Sequence, residues 1–431
     1  MKKIDEECDD CIFESEGNIF VKGDNLSLMK AYYDGHGKKI QMIYIDPPFF
    51  SKAKYGMEVK LALGDGKSEK IKQIAYTDTW DRGLYEYLKM LTIRFYMMKD
   101  ILADDGCIWV HLDWHVVHYV KIILDEIFGE DNFINEVIWQ YKSGGSSKKH
   151  FSRKHDTLLF YSKSKNYYFK AMQEKSYNRG FKPYRFKGVK EYKDELGWYT
   201  MVNMKDVWQI DMVGRTSRER TGYATQKPEA LLARILESCT REGDVVADFF
   251  GGSGTLAVVA AKMGRRFIHC DMGNLAIANA KKRFSKLSIP YNFYQQDEVN
   301  GIESSSDCKK ICIDIRAYEN EIEMSDKKLL AVEVLNYEVE FSGEEISEQA
   351  CFDEKTKNLL ANLKESSNLS FIDYWSIDYN YNGKVFRPER FLHNENGYLN
   401  VSCVKTGDEF RNVAVNIVDV FGNSSIRCVK F

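Results

Sequence analysis

Apolar residues along the chain follow two rhythms, one of period two and one close to three and a half. From Gly17 to Tyr55 the sequence GNIFVKGDNLSLMKAYYDGHGKKIQMIYIDPPFFSKAKY gives a short strand ending near Gly23, a helix, and the apolar run Gln41–Ile45 closed by Pro-Pro. This predicts a β-α-β unit. Leu84–Leu102 repeats apolar residues at helical spacing, Gly106 interrupts it, and CIWVHLD reads as a buried strand. A helix is expected over Trp114–Phe128. EVIWQY and TLLFYS predict two more strands, separated by SGGSSKKHFSRKH, a composition that suits a loop ordering on a bound polymer.

From Thr225 the pattern sharpens. Helices over Pro228–Ser238, Thr255–Met263 and Leu275–Leu287 alternate with the strands VVADFF and RFIHCD, which is the alternation of a doubly wound α/β sheet. The stretch Ser162–Gly222 is polar, aromatic and weakly periodic, and no elements are assigned to it. After about Val299 the chain turns acidic and then alternates through KVFRPERF, YLNVSCV and AVNIVDVFGN, predicting a small β-rich domain. No fixed period repeats. The expected organisation is a first half-sheet over 1–140, a basic region over 141–222, a second half-sheet over 223–299 and a C-terminal domain over 300–431.

Composition narrows the class. With 431 residues, 44% of them hydrophobic and 13% aromatic, the chain can bury a substantial core, and disorder is excluded as its default state. No segment approaches the roughly 20 apolar residues of a membrane helix. MKKIDEECDD has no apolar signal segment, so a cytoplasmic protein without membrane partners is expected. The ten cysteines are scattered, and Cys8 and Cys11 have no second pair after them, so no metal site is expected. A net charge of −3 hides an uneven distribution. Tyr141–Gly222 holds 19 Lys and Arg against 8 Asp and Glu, a phosphate-facing balance, whereas Gly301–Phe431 holds 15 against 23 and should not lie along a DNA backbone.

Two constellations carry chemistry. Asp46, Pro47, Pro48 and Phe49 directly follow the strand QMIYI, where the chain leaves the carboxyl edge of a parallel sheet and α/β folds bind ligands. An exocyclic aromatic amine is a weak nucleophile because its lone pair is delocalised. A carboxylate and a main-chain carbonyl accepting its two N–H bonds would free that lone pair for in-line attack on a sulfonium methyl; Asp46 and the Pro47 carbonyl fit this need. Phe49 offers a face for a base turned out of a duplex. Taken alone, the same residues read equally well as a strand end with Phe49 in the core. The second constellation, VVADFFGGSGTLAVVAA, is a strand ending in Asp248, a glycine turn and a helix. It is neither a phosphate-cradling P-loop nor the dinucleotide G-x-G-x-x-G. A helix start favours a carboxylate and a strand-end Asp an ammonium, which together suit the amino-acid end of S-adenosylmethionine. Asp271 stands at the next strand end, where an acid binds ribose hydroxyls.

In order, DPPF, TQKPEALLARIL, ADFFGGSGT and HCD resemble the β-class amino-methyltransferases of DNA, which include type III modification subunits and solitary bacterial or phage enzymes. The resemblance spans roughly Gly17–Leu287, with the catalytic motif ahead of the cofactor motif. It implies a Rossmann-like methyltransferase sheet with a target-recognition region inserted between the motifs. It also implies S-adenosylmethionine as cofactor, double-stranded DNA as partner, a nucleoid-associated location, and either a homodimer or a restriction subunit alongside. Asp46, Pro47 and Phe49 would be the catalytic positions, with Pro48 shaping the loop. Asp248, Phe250, Gly251, Gly252, Gly254 and Thr255 would surround the methionine end, Asp271 the ribose, Lys227 and Pro228 the cofactor carboxylate, and Asp24 the cofactor adenine. Phe49 stands where the family more often has Tyr. Asp at the first catalytic position implies adenine N6, with cytosine N4, RNA or a non-catalytic DNA-binding subunit as the alternatives. Lys148, Lys149, Arg153, Lys154, Arg215, Arg218 and Arg220 are expected to contact DNA, and Trp80 and Asp81 to lie near the catalytic pocket.

Overall fold

A computed structural model describes residues 17–35, 39–64, 67–80, 82–143, 145–296, 311–321, 327–339, 352, 354–366, 368–382, 386, 388–394, 398–407, 410 and 412–430. Asp81 lies outside them. The first half runs β1 (Ile19–Lys22), α1 (Asn25–Asp34), β2 (Ile40–Ile45), a hairpin of β3 (Lys54–Gly64) and β4 (Lys67–Thr77), α2 (Leu84–Ile101), β5 (Leu102–Leu112), α3 (Val117–Phe128), β6 (Phe133–Gln140) and β7 (His155–Ser162). After these come β8 (Gln173–Tyr177), β9 (Glu191–Lys193), β10 (Trp198–Asn203) and β11 (Val207–Gln209). The second half adds α4 (Glu229–Cys239), β12 (Val245–Asp248), α5 (Thr255–Lys262), β13 (Arg266–Asp271), α6 (Asn274–Lys286) and β14 (Asn292–Gln295).

Nine strands form one sheet in the order β11-β6-β7-β5-β2-β12-β13-β1-β14, parallel except where β7 runs against β5 and β6. Its central strand shows why the sheet is covered on both faces. Every residue of IQMIYI is buried. Ile43 and Ile45 join the core under α1, α2 and α3, while Met42 and Tyr44 join the core under α4, α5 and α6, as period-two alternation requires. On α2, Tyr87, Leu91, Phe95, Met98 and Ile101 are buried, three or four residues apart, so one stripe meets the sheet. The architecture is the doubly wound, Rossmann-like α/β fold.

The winding of the chain across the sheet reverses between the parallel strands β2 and β12. From β2 the chain crosses over α2 to β5 on one side, and from β12 it crosses over α5 to β13 on the other, with Val246 beside Met42 and Ala247 beside Ile43. The crevice opened at such a reversal is where an α/β sheet takes its ligand. Asp46 and Asp248 stand at its two lips.

The C-terminal part contains β15 (Ile311–Glu321), β16 (Lys328–Val339), α7 (Glu354–Ser366), β17 (Ile372–Asp378), β18 (Arg390–His393), β19 (Ser402–Gly407), β20 (Asn412–Asp419) and β21 (Ser424–Lys430). These strands form sheets ordered β15-β16-β19 and β18-β17-β20-β21. The β3–β4 hairpin joins them. Val59, Leu61 and Ile71 lie in one core with Trp375, Val413 and Ile417, and Gln73 Nε2 donates to the Val420 carbonyl at 2.9 Å. Gly422, at φ 84, lies so close to α6 that a Cβ would fall 2.7 Å from the Asn274 carbonyl oxygen. The C-terminal strands thus rest against the hairpin that follows Asp46 and the helix that follows Asp271.

Candidate active site

A cavity of about 520 Å³ occupies the crevice. Its floor is the turn from Asp248 to Thr255. Gly252 and Gly254 hold φ of 49° and 75°, open to glycine at little cost. Gly251 is required for space, because a Cβ there would fall 2.1 Å from Cε1 of His269. The bare backbone of the turn therefore lies directly on β13 and lines the cavity.

Three carboxylates surround this floor. Asp248 is buried, and burial pushes its carboxyl well above the ordinary carboxylate range, opposed by the Phe250 amide that donates to it at 3.0 Å and reinforced by Asp46 and Asp271. Asp271 is likewise raised by burial, with amides of Gly252 and Gly273 donating to its two oxygens, each at 2.8 Å. The cavity lining thus brings together three acids, Asp46, Asp248 and Asp271, with two cations, Lys227 and Arg94.

At the other lip, the Lys227 ammonium pairs with Asp46 Oδ2. It also stands 5.3 Å from the Phe49 ring centre, so this lysine faces the DPPF loop. Asp46 Oδ1 is buried with no hydrogen-bond partner among the described residues. Phe49 is half-buried, packs on the α1–α3 core and lies 5.9 Å from the His111 ring. Beneath it runs a buried chain of polar groups: Tyr44 Oη to His111 Nδ1 at 2.8 Å, His111 Nε2 to Asp156 at 3.1 Å, and Tyr141 Oη to Asp156 at 3.1 Å.

Of the residues expected from sequence, Asp46, Pro48, Lys227, Asp248, Phe250, Gly251, Gly252, Thr255 and Asp271 line this one cavity, as does Trp80. Pro47, Phe49, Pro228 and Gly254 are not among its lining residues, although each is the chain neighbour of one that is. Asp24 instead caps α1, accepting from the Ser27 amide at 2.9 Å and pairing with Arg94 at 2.9 Å, while its neighbours Gly23 and Asn25 face the cavity. The basic residues fall in two places. Lys148, Lys149 and Arg153 are exposed on the loop before β7, with the Arg153 guanidinium 3.8 Å over Trp114 and Lys154 Nζ donating to the Ser143 carbonyl at 3.1 Å. Arg215, Arg218 and Arg220 lie on the far side of Tyr223, along a separate groove.

Sequence reasoning missed Asp78. It is fully buried at the end of β4 and accepts from the Phe50 amide at 3.1 Å, the Ser51 amide at 2.7 Å, the Ser51 hydroxyl at 2.8 Å and Trp80 Nε1 at 3.1 Å. Phe50 and Lys52 both have φ of 58°, a conformation costing a non-glycine residue on the order of 1 kcal/mol or more, so Asp78 over-determines the loop that carries Asp46. Asp78→Ala is expected to slow the chemistry roughly 10- to 100-fold while leaving cofactor affinity within about threefold. Single-turnover kinetics beside calorimetric titration check this, and equal losses in both would show general unfolding instead.

A family model described as DNA methylase, for N6 and N4 methyltransferases, matches residues 40–282. Type II methyltransferase M2.LlaDCHI of Lactococcus lactis subsp. cremoris is 28% identical over 282 residues, 64% of this chain and 91% of that one. Type II methyltransferase M.EcaI of Enterobacter cloacae is 27% identical over 344 residues, 66% of this chain and 73% of that one. Among solved structures, PvuII DNA methyltransferase, named as cytosine-N4-specific, is 17% identical with a TM-score of 0.43, over 62% of this chain and 86% of that one.

Proposed function

The chain belongs to the DNA methylase family of N6 and N4 methyltransferases, and on that premise we propose that it moves the methyl group of S-adenosylmethionine to N6 of an adenine turned out of duplex DNA. The observation that carries the proposal is Asp46 Oδ1, a buried acceptor without a partner among the described residues. Such an atom costs about 1–3 kcal/mol, and an amino group brought into the crevice repays it. The cofactor fits the residues present: the bare glycine turn admits its close approach, and Asp248 and Asp271 match its cationic amino-acid end and its ribose. When bound it supplies a methyl group activated by a sulfonium.

The chain's own residues do the rest. Asp46 Oδ1 and the Pro47 carbonyl accept the two N–H bonds of the target amine, drawing its lone pair out of ring conjugation and toward the methyl carbon. Asp46 would stabilise the positive charge that grows on the nitrogen as it takes the methyl group, until a proton passes to water. Phe49 supplies the stacking face for the base. Asp at the head of the motif supports adenine over cytosine. The type II methyltransferases among the relatives support a role as the modification enzyme of a restriction system.

Transfer of labelled methyl to mixed-sequence duplex DNA, followed by digestion and nucleoside chromatography, tests this. Label is expected in N6-methyladenine. Label in N4-methylcytosine would move the target to cytosine, and label only with RNA would replace the polymer.

A further inference from the structure

Beside the catalytic cavity runs a second, larger concavity of about 940 Å³, walled by the β3–β4 hairpin, residues 215–222, α5, α6 and the β17–β18 strands. Among the described residues, nine Lys and Arg side chains line it against four Asp and Glu, and no aromatic ring does. Three of the acids are engaged within it: Glu58 pairs with Lys70, Glu229 with Lys262 and Arg283, and Asp373 with Lys282. Lys60, Arg215, Arg218 and Arg220 are exposed and make no ion pair among the described residues. The groove therefore carries surplus positive charge on exposed side chains.

Groove and cavity are lined by neighbouring stretches of the same segments. Met57 bridges to Tyr223, and the Glu58 amide donates to the Gly222 carbonyl at 3.4 Å. On one side of this seam Met57–Lys60 and Arg215–Gly222 line the groove; on the other Tyr76, Tyr223, Thr225 and Lys227 line the cavity. A strand whose base entered the cavity would leave it next to the groove.

We propose that this groove holds the sugar-phosphate backbone of duplex DNA flanking the target base, with Lys60, Arg215, Arg218 and Arg220 on phosphates. It rests on the reading of duplex DNA as substrate. Exposed cations without ion pairs among the described residues, gathered along one concavity, match a chain of phosphates. The absence of aromatic lining among the described residues disfavours a single strand, which is held by base stacking. The C-terminal strands, acidic overall, take part as the groove's outer wall, with Lys282 covering Asp373.

The test is the salt dependence of binding, by fluorescence anisotropy, to a duplex of about 30 base pairs. Each phosphate that a variant no longer neutralises lowers the slope of log K against log salt by about 0.9. Lys60→Gln alone is expected to lower it by about that amount, and the quadruple glutamine variant by about 3 to 4, with Kd weakened at least about 100-fold near physiological salt. Cofactor affinity and thermal melting should match the wild type, which separates weakened DNA binding from misfolding. A quadruple variant with wild-type Kd and slope, in a protein that still methylates duplex DNA, would overturn the groove assignment alone. A wild-type protein that ignores duplex and methylates RNA would overturn the groove assignment together with the reading it rests on.

Discussion

Asp46→Ala is expected to reduce methyl transfer by at least about 1,000-fold in single turnover at saturating cofactor, with cofactor affinity changed less than about tenfold. Removing one oriented acceptor from a charge-developing centre costs on the order of 100- to 1,000-fold, and two effects add here. Oδ1 is a buried acceptor without a partner among the described residues, and Oδ2 is the counter-ion of the Lys227 ammonium, which would be left buried without its charge partner. Asp46→Asn keeps the shape but can present an N–H to the base, so it should be as inactive as alanine. Some weakening of cofactor binding is expected, because Asp46 is one of three carboxylates that line the same cavity. Radiolabel transfer and calorimetry on the same preparations check both halves, and turnover within tenfold of wild type in either variant would remove Asp46 from the mechanism.

The parts legible in the sequence are those whose partners are close along the chain or whose burial is two-sided. β2, β5, β12 and β13 are apolar runs ending in Asp or at a turn, and α2 carries its stripe in its own residues. The glycine turn was readable because positive φ and close approach both demand glycine. Where the partner is distant, the pattern fell silent. The β3–β4 hairpin buries Val59, Leu61 and Ile71 against strands some 300 residues later, and nothing in KYGMEVKLALG announces that surface. Asp78 follows from the hairpin: only when β4 returns beside β3 does its carboxylate reach Phe50 and Ser51, so the clamp on the catalytic loop was hidden with it. The stretch Ser162–Gly222, left without elements, contains the three-stranded sheet β8-β10-β9 and the edge strand β11, all short and half-exposed. The helix expected from Trp114 begins at Val117 because Asp113 first accepts the His115 amide at 2.9 Å, and Trp114 packs between His115 and Arg153. The sequence did not show which side chain Lys227 meets. Grouped with the cofactor carboxylate on resemblance, its ammonium lies on Asp46.

Gly251→Ala is expected to weaken cofactor binding at least about 100-fold and to destabilise the fold by about 1–3 kcal/mol, the range for overpacking a filled interior. The added Cβ would meet Cε1 and Nδ1 of His269 at 2.1 and 2.3 Å, and that ring has nowhere to go. It is buried, held edge-on by Phe20 at 4.8 Å and Phe284 at 5.8 Å between centroids, and burial lowers its pKa to about 3, so it is neutral. The turn must lift instead. That breaks the 2.8 Å bond from the Gly252 amide to Asp271 and moves the backbone that lines the cavity. Neither ring nitrogen of His269 has a hydrogen-bond partner among the described residues, so truncating the ring orphans no other polar group. This permits a compensation test: in Gly251→Ala/His269→Ala the new methyl enters the space the imidazole leaves. The double variant should regain most of the lost melting temperature and at least about tenfold of the lost affinity, a coupling expected only of residues that touch directly. If it is no better than Gly251→Ala alone by thermal melting and calorimetry, steric pressure on His269 is not why position 251 is glycine.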